Sequence, residues 1–142
     1  LRLAREFAHI VAIKEASGNL PQNMEIVAGA PESFAVLSGD DNLVLPQIAV
    51  GVQGVISVAA NCFTAPFCRM VNAALDGRFD EARTLHYRLL PAIDALFAEG
   101  NPTGVKAALA HLGILKNYLR LPLVTASPAL DARMAEAVAD LG

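Results

Sequence analysis

The sequence predicts an α/β fold, and three observations carry that prediction. Three short apolar runs, residues 10–16 (IVAIKEA), 34–37 (FAVL) and 55–59 (VISVA), are bounded by turn residues and read as strands. None shows a polar alternate face, the pattern of parallel strands buried on both sides. The stretches between them carry helix signals, and a strand–helix rhythm predicts parallel strands joined by helical crossovers. From Pro66 onward the pattern is wholly helical.

The elements follow in order. Residues 1–10 (LRLAREFAHI) read as the end of a helix, not as a signal peptide, and the chain opens at Leu1. A piece of a longer protein is the expectation. The first strand closes at Ser17-Gly18-Asn19, with Asn19 a candidate cap for a helix over 21–27. The second strand ends at Ser38-Gly39-Asp40-Asp41, and a helix over 42–50 follows, with Asp40 or Asp41 as its N-cap. Pro46 is expected to kink or shorten that helix. The Gly51/Gly54 turn leads into the third strand.

In the helical part, Phe67, Met70, Val71, Ala74 and Leu75 share one face, and Asp76-Gly77 ends the helix. Residues 79–98 form a long amphipathic stretch with Ala82, Leu85, Leu89, Ile93 and Leu96 on one stripe. Pro91 inside it predicts a kink or two helices. Asn101-Pro102 reads as a capped start, with proline suited to the first helical position, and Val105, Ala108, Leu109 and Leu112 follow to Gly113. Ser127-Pro128 opens a last helix carrying Leu130, Met134, Val138 and Leu141 on one face.

Composition narrows the function classes. At 142 residues the chain is one domain at most, large enough for a core but too short for a complete large barrel. With 54% hydrophobic and 18% charged residues, disorder is excluded. A net charge of -3 argues against a nucleic-acid footprint. No apolar run approaches the ~18–20 residues that cross a bilayer. Two cysteines, Cys62 and Cys68, make neither a disulfide scaffold nor a metal pattern, so a reducing, cytoplasmic setting is expected.

Lys14 is the residue with the clearest chemical potential. In an extended strand it shares a face with Ile10, Ala12 and Ala16, near the C-terminal end, where parallel α/β folds build their sites. Burial there would disfavour the ammonium form and make the amine a candidate Schiff-base nucleophile. The alternative is a lysine reaching solvent past the strand end and paired with Glu15. At Ser38-Gly39-Asp40-Asp41 the glycine permits close approach to a small ligand, and the carboxylates either bind a cation or cap a helix. His9, His86 and His111 show no metal spacing, and Ser57 and Cys62 have no nucleophile context.

Taken together, VAIKEASGNL (11–20), LSGDDN (37–42) and GVISVAAN (54–61) resemble, in order and spacing, the dihydrodipicolinate synthase family of pyruvate-dependent class I aldolases. GRFDEARTLHYRLL (77–90) and NPTGVKAALAHLG (101–113) are similar to that family's C-terminal segments. The resemblance implies the C-terminal part of a (β/α)8 TIM barrel, its last three strands within residues 1–76, followed by a helical domain over 77–142. It implies that Lys14 forms a Schiff base with pyruvate, that Gly39 contacts the keto acid through its backbone, and that Ile56 lies beside it. The enamine would then add to aspartate semialdehyde, toward diaminopimelate and lysine. No metal or organic cofactor is implied, and a cytoplasmic homotetramer is the expected assembly.

Two departures qualify this. Position 104 is glycine where the family usually carries a second proline (NPxPVK). The family's threonine pair, proton-relay tyrosine, carboxylate-binding arginine and lysine-feedback site belong to the first part of the barrel and are not in this sequence. Two other readings stand beside the synthase. One is a sister aldolase acting on N-acetylneuraminate or a 2-keto-3-deoxy sugar acid; the other is a non-catalytic half-barrel that needs a partner chain.

Overall fold

The computed structural model describes residues Leu1–Gly142 as a small parallel sheet with seven α-helices. After helix α1 (Arg2–Glu6), strand β1 (Ala12–Glu15) pairs in parallel with β2 (Ala35–Ser38), with Lys14 opposite Leu37 and Glu15 opposite Ser38. Helix α2 (Leu20–Gly29) makes the crossover. Its Asn19 cap accepts a hydrogen bond from the Gln22 N–H, as the sequence predicts, and the helix runs past both ends of the predicted 21–27.

The third predicted strand is shortened to a single bridge, Val55 opposite Ser38. Backbone bonds from Gln53 N to Val36 O, Ser38 N to Gly54 O and Ile56 N to Ser38 O still place residues 53–56 along β2. Beyond Ile56 the apolar run leaves the ladder. The Ser57 hydroxyl accepts from Ala60 N, Asp41 takes Val58 N and Ala59 N, and a 3-10 turn forms over Ala59–Asn61. These side-chain bonds compete with strand pairing and win.

Burial on both faces, expected of all three strands, does not hold for β1. Its first three residues are exposed, and Val11 and Ile13 are 63% and 37% exposed. The reason is what packs on it: β1 rests mainly against β2, and no layer of this chain covers the face that carries Lys14.

Helix α3 (Val44–Ala49) begins later than expected, with Leu43 at its cap and no side-chain cap bond, so neither Asp40 nor Asp41 caps it. Pro46 therefore falls in the first turn, where an N–H has no intrahelical partner to lose. Helix α4 (Thr64–Leu75) buries Phe67, Met70, Val71, Ala73 and Ala74, while Leu75 turns outward. Helix α5 (Phe79–Phe97) is one element with Pro91 inside it, not two. Helix α6 (Thr103–His111) starts one residue after Pro102, which occupies the cap position without a side-chain cap. Helix α7 (Pro128–Leu141) is capped by Ser127, whose hydroxyl accepts from Leu130 N.

The main core is formed by α3 to α7. Phe63, Phe67, Met70, Leu89, Ile93, Leu96 and Met134 are its largest fully buried apolar side chains. A smaller cluster of Phe34, Val36 and Val52 lies beneath the sheet. One face of the sheet thus rests on protein, and the other is open.

Candidate active site at the strand ends

Parallel pairing puts opposed residues on the same face. Lys14 stands opposite Leu37, and the Ser38–Val55 bridge sets Gly39 opposite Ile56 in the next row. Lys14, Gly39 and Ile56 therefore lie together on the open face at the C-terminal ends of the strands. Lys14 is exposed, Ile56 is 52% exposed and Gly39 is half-buried. The contact between Lys14 and Gly39 is close. A Cβ added to Gly39 would stand 2.7 Å from Lys14 Cε and 2.5 Å from Ala16 Cβ, so only glycine lets the lysine stem cross this point.

The opposite face of β1 fixes the loop behind the lysine. Glu15 is buried, and its Oε1 accepts hydrogen bonds from Ser17 N at 3.0 Å and Gln22 Nε2 at 3.1 Å. Glu15 and Lys14 thus point to opposite sides and form no ion pair, which removes the pairing considered from sequence. Burial of Lys14, the condition for lowering its pKa by desolvation, is not supplied by this chain either.

Three loops meet beyond the strand ends. Gly39 N donates to Glu15 O at 2.7 Å, and Gly18 N donates to Asp40 Oδ2 at 3.1 Å. Asp41, 1% exposed, accepts from Val58 N at 3.0 Å and Ala59 N at 2.7 Å through Oδ2. Asp40 and Asp41 therefore join loops, and neither caps α3. No cluster of three His, Cys, Asp or Glu side chains is arranged to hold a metal ion. The role of Asp41 had no signal in sequence, because its partners lie 17 and 18 residues away.

The remaining candidates are accounted for by packing. His86 is buried in α5, and burial lowers its pKa. His111 Nε2 lies 3.1 Å from Asp131 Oδ1 on the surface. Burial pushes the Cys62 thiol up to about 12, so it is not an activated nucleophile.

The sequence model described as the Dihydrodipicolinate synthetase family matches residues 1–140. The chain belongs to that family. Among curated dihydrodipicolinate synthetase relatives, the 4-hydroxy-tetrahydrodipicolinate synthase of Phocaeicola vulgatus is 50% identical over 124 residues, covering 87% of this chain and 42% of its own length. That of Chlorobium luteolum is 44% identical over 142 residues, 100% of this chain and 48% of its own. The crystal structure of dihydrodipicolinate synthase from Aquifex aeolicus superposes with a TM-score of 0.94 at 43% identity, covering 98% of this chain and 47% of that one. The chain spans less than half the length of these dihydrodipicolinate synthetase relatives.

Proposed function

We propose that this chain carries the Schiff-base lysine of a 4-hydroxy-tetrahydrodipicolinate synthase, a lyase that condenses pyruvate with aspartate semialdehyde. In this reading residues 1–76 are the C-terminal part of a (β/α)8 barrel, and residues 77–142 are a helical domain appended to it. The observation that carries the proposal is the passage of the Lys14 stem over Gly39, on the same open face as Ile56. Family membership and relatives named for this activity support it.

The chemistry follows from an amine at that position. Lys14 Nζ adds to the C2 carbonyl of pyruvate, and loss of water leaves a protonated imine. The iminium withdraws electrons from C3, which gives up a proton to form an enamine. The enamine carbon attacks the aldehyde carbon of aspartate semialdehyde, making the new C–C bond. The amine of the adduct then displaces Lys14 as the product cyclises. The imine is itself the electron sink, so the proposal calls for no metal or organic cofactor. Gly39 admits the keto acid beside the lysine, and Ile56 supplies an apolar wall. We extend the proposal to a cytoplasmic homotetramer, although one structural neighbour is described as a monomeric dihydrodipicolinate synthase variant. No helix is long and apolar enough to cross a membrane.

The test is covalent trapping in a full-length enzyme carrying this chain. Borohydride with pyruvate should fix the three-carbon acid to the peptide containing Lys14. Lys14→Arg should abolish both trapping and turnover, because a guanidinium stays protonated. Modification at another lysine, or activity retained in the arginine variant, would remove the assignment. A sister aldolase would trap pyruvate at the same residue and then prefer a sugar aldehyde as partner.

A further inference from the structure

We propose that Asp40 is a positioning residue for Lys14: its carboxylate ties the loop after β1 to the loop after β2, and that tie sets where the lysine stem crosses Gly39. The inference rests on the synthase reading above and adds to it a group that holds the amine in place without touching substrate.

No ion pair fixes the exposed Lys14 side chain. Its place is therefore set by the backbone that carries it and by what lies beneath its stem. The β1–β2 ladder ends at Glu15 opposite Ser38, so residues 16–19 run beyond the sheet. Lys14 Cε and Ala16 Cβ sit over the same spot, 2.7 Å and 2.5 Å from a Cβ built on Gly39. A loop that lifts off Gly39 frees the lysine stem to move.

Two hydrogen bonds fasten this loop to the end of β2. Gly39 N donates to Glu15 O at 2.7 Å, and Gly18 N donates to Asp40 Oδ2 at 3.1 Å. Together they bracket Ala16 and Ser17. The first joins two backbone groups and needs no side chain. The second is charge-assisted, links residues 22 positions apart and depends on one carboxylate. Glu15 Oε1, which accepts from Ser17 N, ties the turn only to its own strand.

The two ends of the Asp40 bond differ in stiffness. Gly18 has φ +71°, and a glycine loses more conformational freedom on ordering than any other residue, so its loop needs a fastener. Asp40 is already held. Its N donates to Ser38 Oγ at 3.0 Å, and Ser38 Oγ donates to Asp40 O at 3.2 Å, with Ser38 only 1% exposed. A fixed acceptor thus anchors a flexible donor four residues after the lysine.

The experiment uses a full-length enzyme carrying this chain, and reads the rate of borohydride trapping of pyruvate at Lys14 beside a thermal melt. Asp40→Ala should slow trapping about tenfold, the scale of one hydrogen bond to a charged group. Asp40→Asn keeps an accepting oxygen and should recover most of the rate. Both melts should stay close to the parent's, because the bond lies at the exposed surface. Gly18→Ala has open space for its Cβ but a strained φ, so it disturbs the same bond from the donor side and should also slow trapping. Combined with Asp40→Ala, the two losses should fall short of multiplying, since both remove one interaction. Unchanged trapping in Asp40→Ala overturns the proposal, as does an asparagine variant as slow as the alanine one. Losses that multiply in full overturn it too. So does an Asp40→Ala protein that melts early or fails to fold, because the tie would then serve the fold alone. Absence of trapping at Lys14 in the unsubstituted enzyme overturns the synthase reading, whereas trapping that ignores these substitutions overturns this inference only.

Discussion

Lys14 Cε lies 2.7 Å from the point where a side chain on residue 39 would begin. Two strands, paired in parallel with Lys14 opposite Leu37, bring about this approach, and the absence of a Cβ at Gly39 permits it. The lysine can bend away from an added atom, but Ala16 Cβ, at 2.5 Å from the same point, is tied to the backbone.

Gly39→Val in the full-length enzyme should therefore displace Lys14 and, because Ala16 Cβ cannot yield without the backbone, also destabilise the strand ends. Imine formation should fall about a hundredfold, the scale of a 1 Å misplacement of a reacting group, and the unfolding transition should move to lower temperature. Rates of borohydride trapping and a thermal melt check the two halves of this expectation. Unchanged trapping in a folded variant would sink the close-approach role of Gly39.

Asp41 is expected to matter for stability. Asp41→Ala leaves the amides of Val58 and Ala59 without their acceptor, one of them fully buried. The cost should be roughly 2–5 kcal/mol, since each stranded donor costs ~1–3 kcal/mol. Asp41→Asn keeps one accepting oxygen and should lose less. Urea unfolding measures both, with the exposed Asp76→Ala as a control expected within about 0.5 kcal/mol of the parent.

His86 should make stability fall on acidification. Burial lowers its pKa in the folded state below the ordinary 6.5, so the unfolded chain binds the proton more readily. Stability linked to His86 is then complete above about pH 6.5 and is lost as pH falls below that value. Comparing urea midpoints at pH 7.5 and 5.5 for the parent and His86→Phe checks the sign. The variant should show the shallower dependence, and an equal slope would exclude His86 as the cause.

The 142-residue chain on its own should self-associate and show no synthase activity. Val11, Ile13 and Ile56 are 63%, 37% and 52% exposed around an open sheet with an unpaired edge. At ~25 cal/mol per Å², several wet apolar side chains forfeit a few kcal/mol of a ~5–15 kcal/mol stability margin. Sedimentation velocity on chain of confirmed intact mass should show species above 14.9 kDa. A monodisperse, active monomer of that mass would contradict the expectation.

The helical half was largely legible before the structure. The spacing of Phe67, Met70, Val71 and Ala74, the Ser127 cap and the stripe of Ala82, Leu89, Ile93 and Leu96 are local properties, and local periodicity survives folding. The candidate lysine was legible too, because IKEASGN and SGDD are contiguous motifs whose order along the chain is written in the sequence.

Tertiary structure decided what depends on distant partners. The run VISVA is apolar enough for a strand, yet Ser57 and Asp41 divert it after Ile56, and Asp41 reaches it from the end of another strand. The apolar pattern of residues 10–16 predicts burial, yet no layer of this chain covers the face of β1 that carries Lys14, and burial depends on what packs on a strand. Glu15 and Lys14 are adjacent in sequence and point to opposite faces, so no ion pair forms between them. Composition and periodicity by themselves determined the α/β class and most of the helices; on spacing Lys14 was one of two open readings, and the resemblance carried by IKEASGN and SGDD singled it out. The meeting of Lys14 with Gly39 came only from strand register, which is a relation between segments and not a property of either one.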